Sequence, residues 1–130
     1  MEKRDAMQYS PVVLAFMGDA VYEQKAREKI ILSGNRPANE LHKIAVKKVC
    51  AEYQSAAAER LLEKDVLTDE EQAVLKRGRN ANGIQIPKHS TASQYRMATG
   101  LESLFGYLFL TGEKERIDEL FEVCWETDEN

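Results

Sequence analysis

Apolar residues recur at helical spacing through most of the chain, and this pattern predicts helices almost throughout. The first predicted helix covers residues 11–33. Ser10 suits its N-cap, Pro11 its first turn, and Gly34 its end. A second helical region opens near Pro37 and carries an apolar residue at every fourth position. These residues are Leu41, Ala45, Val49, Tyr53, Ala57 and Leu61, and the pattern leaves open whether a break divides the region.

In the second half of the chain, the residue pattern predicts three further helices and one long loop. Thr68 and Glu71 have the spacing of a capping box, at the start of a helix that Gly78 would end. Residues 78–90 are rich in Gly, Asn and Pro, which indicates a loop, and helices follow at about 91–111 and 113–126. The pattern therefore predicts an all-α protein with a single domain, residues 1–130, and a core at about 10–126.

Composition is typical of a folded globular protein. The 130 residues are 43% hydrophobic and 31% charged. No apolar run approaches the roughly 20 residues of a membrane span, and the first ten residues lack the hydrophobic core of a secretion signal. We therefore expect a cytoplasmic protein with no membrane partner. Cys50 and Cys124 have no metal-binding spacing and are predicted to be buried thiols.

Charge is distributed unevenly along the chain. The net charge of −4 argues weakly against a nucleic-acid partner. The segment between Lys76 and Arg96, however, holds five basic residues and no acid. Such a segment can face a polyanion, although Lys76 and Arg77 would equally well complement a helix dipole. A second basic cluster, at Lys43, Lys47 and Lys48, is interpreted as a solvated helix face.

Two predicted core helices each carry one acid with a glycine close by. Asp19 follows Gly18 in an otherwise apolar run, and Glu102 lies one turn before Gly106. Glycine inside a helix costs about 1 kcal/mol relative to alanine, which close approach of a helix or a ligand would justify. Two buried acids drawn together would repel, and a divalent cation would remove that repulsion. Spacing alone favours a simpler interpretation, in which each acid has its own local partner or reaches the surface.

Four motifs resemble the ribonuclease III catalytic domain, and most closely the Mini-ribonuclease III group of that family. They are LAFMGDAVYE at residues 14–23, LHK at 41–43, TDEEQAVLKRGRNA at 68–81 and SQYRMATGLESLFGYLFL at 93–110. The resemblance implies an all-helical domain that acts as a homodimer. It also implies the absence of the separate double-stranded-RNA-binding domain that larger relatives carry.

The resemblance assigns Asp19 and Glu102 as catalytic, metal-binding acids. Two further family acids have no counterpart, because Ala15 and Thr99 stand at their positions, and this leaves the number of bound ions open. The expected cofactor is Mg²⁺, with Mn²⁺ as a substitute, because Mg²⁺ keeps several waters and needs few protein ligands. Glu23, one turn after Asp19, is a candidate for a supporting carboxylate.

The activity that the resemblance implies is metal-dependent hydrolysis of double-stranded RNA to 5′-phosphate and 3′-hydroxyl ends. The expected substrate is the precursor of 23S ribosomal RNA, with a ribosomal protein as a possible helper. Two alternatives stay open. One is a non-catalytic, ribosome-associated relative that binds double-stranded RNA, although retention of both acids speaks against it. The other is an all-helical dimerisation module with structural acids.

With the resemblance, the basic segment becomes the predicted RNA-binding surface. Its candidate residues are Lys76, Arg77, Arg79, Asn80, Lys88, His89, Tyr95 and Arg96. Double-stranded RNA is contacted mainly through phosphates and 2′-hydroxyls across its shallow minor groove. Because the basic area is small, we expect weak and salt-sensitive binding. His42 and His89 are expected to be structural or to contact RNA rather than to act as general bases.

Overall fold

The computed structural model describes residues 1–88 and 91–125, and these ranges contain seven helices and no strand. The helices are α1 (Lys3–Ala6), α2 (Pro11–Leu32), α3 (Ala38–Val49), α4 (Ala51–Glu63), α5 (Asp69–Arg79), α6 (Ala92–Leu110) and α7 (Lys114–Cys124). The prediction of an all-α fold is confirmed. Helix α6 is central and packs against α2, α4, α5 and α7. Within the described ranges, no helix combines the length and the apolarity that crossing a membrane requires.

The predicted helix starts are confirmed at two caps. The Ser10 hydroxyl accepts a hydrogen bond from the Val13 N–H (3.2 Å), and Pro11 is the first residue of α2. At the start of α5, Thr68 accepts from the Glu71 N–H (3.1 Å), and the Glu71 carboxylate accepts from the Thr68 N–H (2.9 Å). These bonds satisfy N–H groups that a helix cannot pair internally. The structure adds a short helix that the pattern missed, α1, whose Ala6 is fully buried.

The second helical region is divided by a break at Cys50. Its backbone is extended there (φ −72°, ψ 161°), so α3 ends and α4 begins at this residue. None of the residues of α3 is fully buried, whereas α4 buries Ala57 and Leu61, so the apolar stripe reaches the core only in its second half. The thiol of Cys50 is exposed at the break, and the prediction that it is buried is wrong. The same prediction is confirmed for Cys124.

Gly78 does not end its helix, contrary to the sequence-based expectation. Helix α5 continues to Arg79, and Gly78 is buried against α6. A Cβ atom at Gly78 would lie 2.5 Å from the Ser103 Oγ and 2.9 Å from the Gly100 Cα. The glycine is therefore required by the close packing of α5 on α6, and the loop that follows begins at Asn80.

The contact between α2 and α6 is closer still. A Cβ atom at Gly18 would overlap the carbonyl oxygen of Glu102, and one at Gly106 would overlap the carbonyl oxygen of Leu14. Both glycines are buried, so the two helix backbones touch directly at this crossing. The Ser103 hydroxyl donates across the same interface to the carbonyl oxygen of Pro11 (2.8 Å). Close approach of a second helix is thus the reason for the two glycines.

The variant Gly18→Ala tests this backbone contact. Alanine favours a helix by about 1 kcal/mol over glycine. Nevertheless, we expect a net loss of about 2 kcal/mol in the free energy of unfolding, because the methyl group forces the helices apart. Chemical denaturation measures the change, and Gln24→Ala, at an exposed position of the same helix, should change stability by less than about 0.5 kcal/mol. A Gly18→Ala protein as stable as the original would contradict the contact.

Candidate active site

The glycine crossing brings Asp19 and Glu102 together. Asp19 directly follows Gly18, and Glu102 is the residue whose carbonyl group faces Gly18. The two carboxyl groups lie within hydrogen-bonding reach of each other. Sequence reasoning could not show this proximity, because more than eighty residues separate the two acids. It follows from the position of each acid beside the point where the two backbones meet.

The acid pair lies in an open cleft of about 560 Å³. Residues of α2, of α6, of the α3–α4 junction with Gln54 of α4, and of the loop after α5 line it. The residues that line it are Val12, Ala15, Phe16, Asp19, Val49, Ala51, Gln54, Gly83, Ile84, Gln85, Tyr95, Ala98, Thr99 and Glu102. The cleft is therefore mostly apolar, with two acids and a few neutral polar groups on its walls.

The electrostatics of the two acids differ. Asp19 is exposed, whereas Glu102 is half-buried. The pKa of Glu102 is raised to about 8, and burial is the largest cause, followed by the hydrogen bond and the negative charge of Asp19. The Gln54 amide acts in the opposite direction. Glu102 therefore retains a proton at neutral pH when no cation is present.

This pair fits a hard divalent cation. Two carboxylates within reach of each other offer the oxygen ligands that Mg²⁺ prefers, and a bound cation would replace the proton that now relieves their repulsion. No group of three or more His, Cys, Asp or Glu side chains suited to a metal occurs within residues 1–88 and 91–125. A cation held here would complete its coordination with water or phosphate oxygens.

The two positions that lack a family acid lie beside the pair. Ala15 and Thr99 both line the cleft and are almost fully buried. The Thr99 hydroxyl donates to the carbonyl oxygen of Tyr95, one turn earlier in the same helix (3.0 Å). Neither residue therefore supplies a charge, and the site depends on Asp19 and Glu102 for its negative charge.

Glu23 is placed differently from the acid pair. Its carboxylate accepts a hydrogen bond from the Arg27 guanidinium, one turn later in α2 (2.6 Å), and it is not among the residues that line the cleft. Its charge is therefore balanced within its own helix.

Some of the predicted RNA-binding residues are held by the protein itself. Arg77 donates to the carbonyl oxygen of Tyr9 (3.0 Å), which fixes the segment before α2. Arg96 donates to the carbonyl oxygen of Ala81 (2.9 Å), which ties the loop after α5 to α6. Tyr95, next to Arg96, lines the cleft. Arg77 and Arg96 thus position the loop and its surroundings in addition to any contact with a ligand.

Other predicted RNA-binding residues face solvent. Lys76, Asn80 and Lys88 are exposed, and the Arg79 guanidinium donates to the Asn80 side chain (3.2 Å). His89 lies outside the described residues. Among the other basic side chains, Lys43 and Lys47 are exposed as expected, whereas Lys48 packs over the rings of Tyr53 and Trp125.

Sequence reasoning missed Gln54 as a site residue. Gln54 lies on α4, is 3% exposed, and donates from Nε2 to Glu102 Oε2 (3.5 Å). A signal was present: Gln54 stands three, four and seven residues before Ala57, Ala58 and Leu61, which are all buried, so a polar side chain interrupts an apolar face.

Known proteins resemble this chain over most of its length. The model of the ribonuclease III domain family matches residues 12–113. A Mini-ribonuclease 3 from Thermoanaerobacter sp. strain X514 is 43% identical over 95% of this chain and 85% of its own length. A second, from Enterococcus faecalis, is 41% identical over 93% and 92%. A crystal structure of a protein from Fusobacterium nucleatum superimposes with a TM-score of 0.79 at 30% identity, covering 89% of this chain and 91% of that one.

Proposed function

Since the chain belongs to the ribonuclease III domain family, in its Mini-ribonuclease 3 group, and is an endoribonuclease of double-stranded RNA, we propose that Asp19 and Glu102 are its catalytic acids. The observation that carries this proposal is the meeting of the two carboxyl groups in an open cleft. The raised pKa of Glu102 supports it, because perturbed acids in clefts are typical of functional sites.

Asp19 and Glu102 would hold Mg²⁺, with Mn²⁺ as a substitute. When bound, the cation lowers the pKa of water and stabilises the charge that develops on the phosphate. Glu102 must release its proton to become a ligand, and the two carboxylates would then together balance the charge of the cation. Hydrolysis of the phosphodiester would leave 5′-phosphate and 3′-hydroxyl ends.

The variant Asp19→Asn tests the assignment, since it keeps the shape of the side chain and removes its charge. We expect the rate of cleavage of a duplex RNA with Mg²⁺ to fall at least about a hundredfold, because the cation loses one of two charged ligands. Affinity for the duplex, measured without cation, should change by less than about threefold, because phosphate contacts dominate that affinity. Gln24→Ala, on the same helix, is the matched control.

Two outcomes of this assay decide separate points. Cleavage by Asp19→Asn at the original rate would remove Asp19 from the mechanism. Glu23→Gln, measured in parallel, tests the supporting carboxylate. If that variant cleaves at the original rate at every Mg²⁺ concentration, Glu23 has no part in the site.

The substrate proposed for the enzyme is the precursor of 23S ribosomal RNA in the cytoplasm, with a ribosomal protein as helper. The small basic area supports this, because weak binding by itself requires a particular RNA shape or a helper for selectivity. The cleavage assay tests this choice with two duplexes of equal length. One has the sequence of the helix that joins the two ends of that precursor, and the other has an unrelated sequence. Equal rates on both, with and without ribosomal protein, would reject it.

The loop after α5 is proposed to contact the RNA backbone. It borders the cleft through Gly83, Ile84 and Gln85, and Arg96 ties it to α6 through the carbonyl oxygen of Ala81. Lys88 and Lys76 are exposed and able to reach phosphates. The other predicted contacts are Arg77, Arg79, Asn80, His89, Tyr95 and Arg96.

Salt dependence distinguishes RNA contacts from structural cations. We expect the double variant with Arg79→Ala and Lys88→Ala to bind duplex RNA more weakly. The magnitude of its slope of log affinity against log salt should be smaller by about one for each lost phosphate contact. Fluorescence anisotropy between about 50 and 200 mM salt measures this slope. Lys114→Ala, an exposed lysine at the start of α7, should leave it unchanged. An unchanged slope in the double variant would place the RNA elsewhere.

A second copy of the chain is the proposed partner of the exposed face of α2. Val13, Phe16 and Ala20 recur at helical spacing on this face, and Phe16 is 81% exposed. An apolar stripe of this kind is a typical interface, and a two-fold dimer would present one cleft to each strand of a duplex. The homodimer expected from the resemblance is therefore proposed to form through this stripe.

The variant Phe16→Asp tests the dimer, because a charge in an apolar interface is left without a partner. We expect it to sediment as a monomer at concentrations where the original chain is a dimer. Leu32→Asp introduces the same charge at an 84% exposed apolar residue near the far end of α2 and should remain dimeric. Sedimentation of Phe16→Asp as a dimer would place the interface on another surface.

A further inference from the structure

Gln54 is a buried polar residue that approaches the acid pair from a third helix. Helix α2 supplies Asp19, α6 supplies Glu102, and α4 supplies Gln54, a residue that is only 3% exposed. Ordering and burying a long carboxamide is costly unless its polar atoms find partners. The partner of its Nε2 is Oε2 of Glu102, at 3.5 Å. This contact joins α4 to α6 at the cleft.

The Gln54 amide contributes something that the other neighbours of Glu102 do not. Asp19 is itself an acid and repels the ionised form of Glu102. Thr99 directs its hydroxyl to the Tyr95 carbonyl group. Ala15 has no polar side-chain atom. Among the described residues lining the cleft, Gln54 is therefore the neutral donor that faces the Glu102 carboxylate and stabilises it without competing for a cation.

Helix α4 holds Gln54 firmly. Ala57, Ala58 and Leu61 of this helix are fully buried in the core. Two turns beyond Gln54, Arg60 donates from its guanidinium to the carbonyl oxygens of Val123 (3.4 Å) and Cys124 at the end of α7. Core packing and the bonds of Arg60 to the end of α7 thus anchor the helix that carries Gln54, as a supporting residue requires.

We propose that Gln54 is a positioning residue, which orients the Glu102 carboxylate toward the cation shared with Asp19. This inference rests on the proposed function, in which both acids are metal ligands. Because the proposed site has only two charged ligands, its affinity for the cation depends more strongly on the orientation of each one than it would in a site with four. Hydrogen-bonding partners of metal ligands commonly contribute a factor of about 10 to 100 to metal affinity or activity.

The variant Gln54→Met tests the proposal. Methionine matches the length of glutamine, adapts to buried sites and has no donor. We measure binding of Mn²⁺ to the RNA-free protein by electron paramagnetic resonance, and we expect the dissociation constant to rise about tenfold. The Mg²⁺ concentration for half-maximal cleavage should rise by a similar factor. Affinity for duplex RNA without cation should not change, because Gln54 supplies no positive charge.

A matched control and a second variant separate positioning from packing. Ser55→Ala alters the next residue of α4, which is 7% exposed and does not line the cleft, and it should retain the original affinity for Mn²⁺. Gln54→Asn keeps the amide but withdraws it by one methylene, and it should lose affinity as Gln54→Met does. Circular dichroism establishes that each variant is folded, and if Gln54→Met is not, Gln54→Asn decides.

The outcomes distinguish this inference from the function on which it rests. If Asp19→Asn abolishes Mn²⁺ binding and Gln54→Met weakens it while Ser55→Ala does not, the positioning role is supported. If Gln54→Met or Gln54→Asn is folded and binds Mn²⁺ as the original chain does, the inference is overturned and the acid pair is untouched. If the original chain binds no Mn²⁺ that depends on Asp19, the proposed metal site itself fails.

Discussion

The direct contact between the backbones of α2 and α6 is the constraint on which the rest of the structure depends. At Gly18 and Gly106 no side chain separates the helices, and a methyl group at either position would overlap a carbonyl oxygen of the other helix. Asp19 and Glu102 stand beside this contact, so a short interhelical distance becomes a short distance between carboxyl groups. The same two glycines that weaken each helix locally thus assemble the site.

This arrangement brings together two carboxyl groups that repel each other when both are ionised. Burial of Glu102, together with the hydrogen bond and negative charge of Asp19, raises the pKa of Glu102 to about 8. The surrounding core can hold them there because α6 is buried along most of its length. A cation held by the pair, as proposed, would relieve this repulsion and recover part of the energy of assembling it. Unfavourable groups of this kind are typical of functional sites.

The sequence predicted what depends on local interactions. The caps at Ser10 and Thr68 use atoms within three residues, and both are found where the pattern placed them. Gly78 was wrongly predicted to end its helix, because a glycine in this position can mark either the end of a helix or close packing against another helix. Its true partners, Gly100 and Ser103, are more than twenty residues away. The meeting of the two acids is likewise non-local, so only the family resemblance pointed to it before the structure.

Helix α6 connects the acid pair physically to the surface proposed to bind RNA. On one side Gly106 lies against α2, which carries Asp19. On the other, Gly100 lies so close to α5 that a Cβ atom there would be 2.6 Å from the Leu75 carbonyl oxygen. Helix α5 leads into the loop that borders the cleft, and Arg96 of α6 binds that loop again at Ala81. The loop and the acids are therefore both positioned from α6, with Glu102 between its two glycine contacts. A change in the packing of either neighbouring helix would therefore alter the distance between the loop proposed to hold RNA and the acids proposed to cut it.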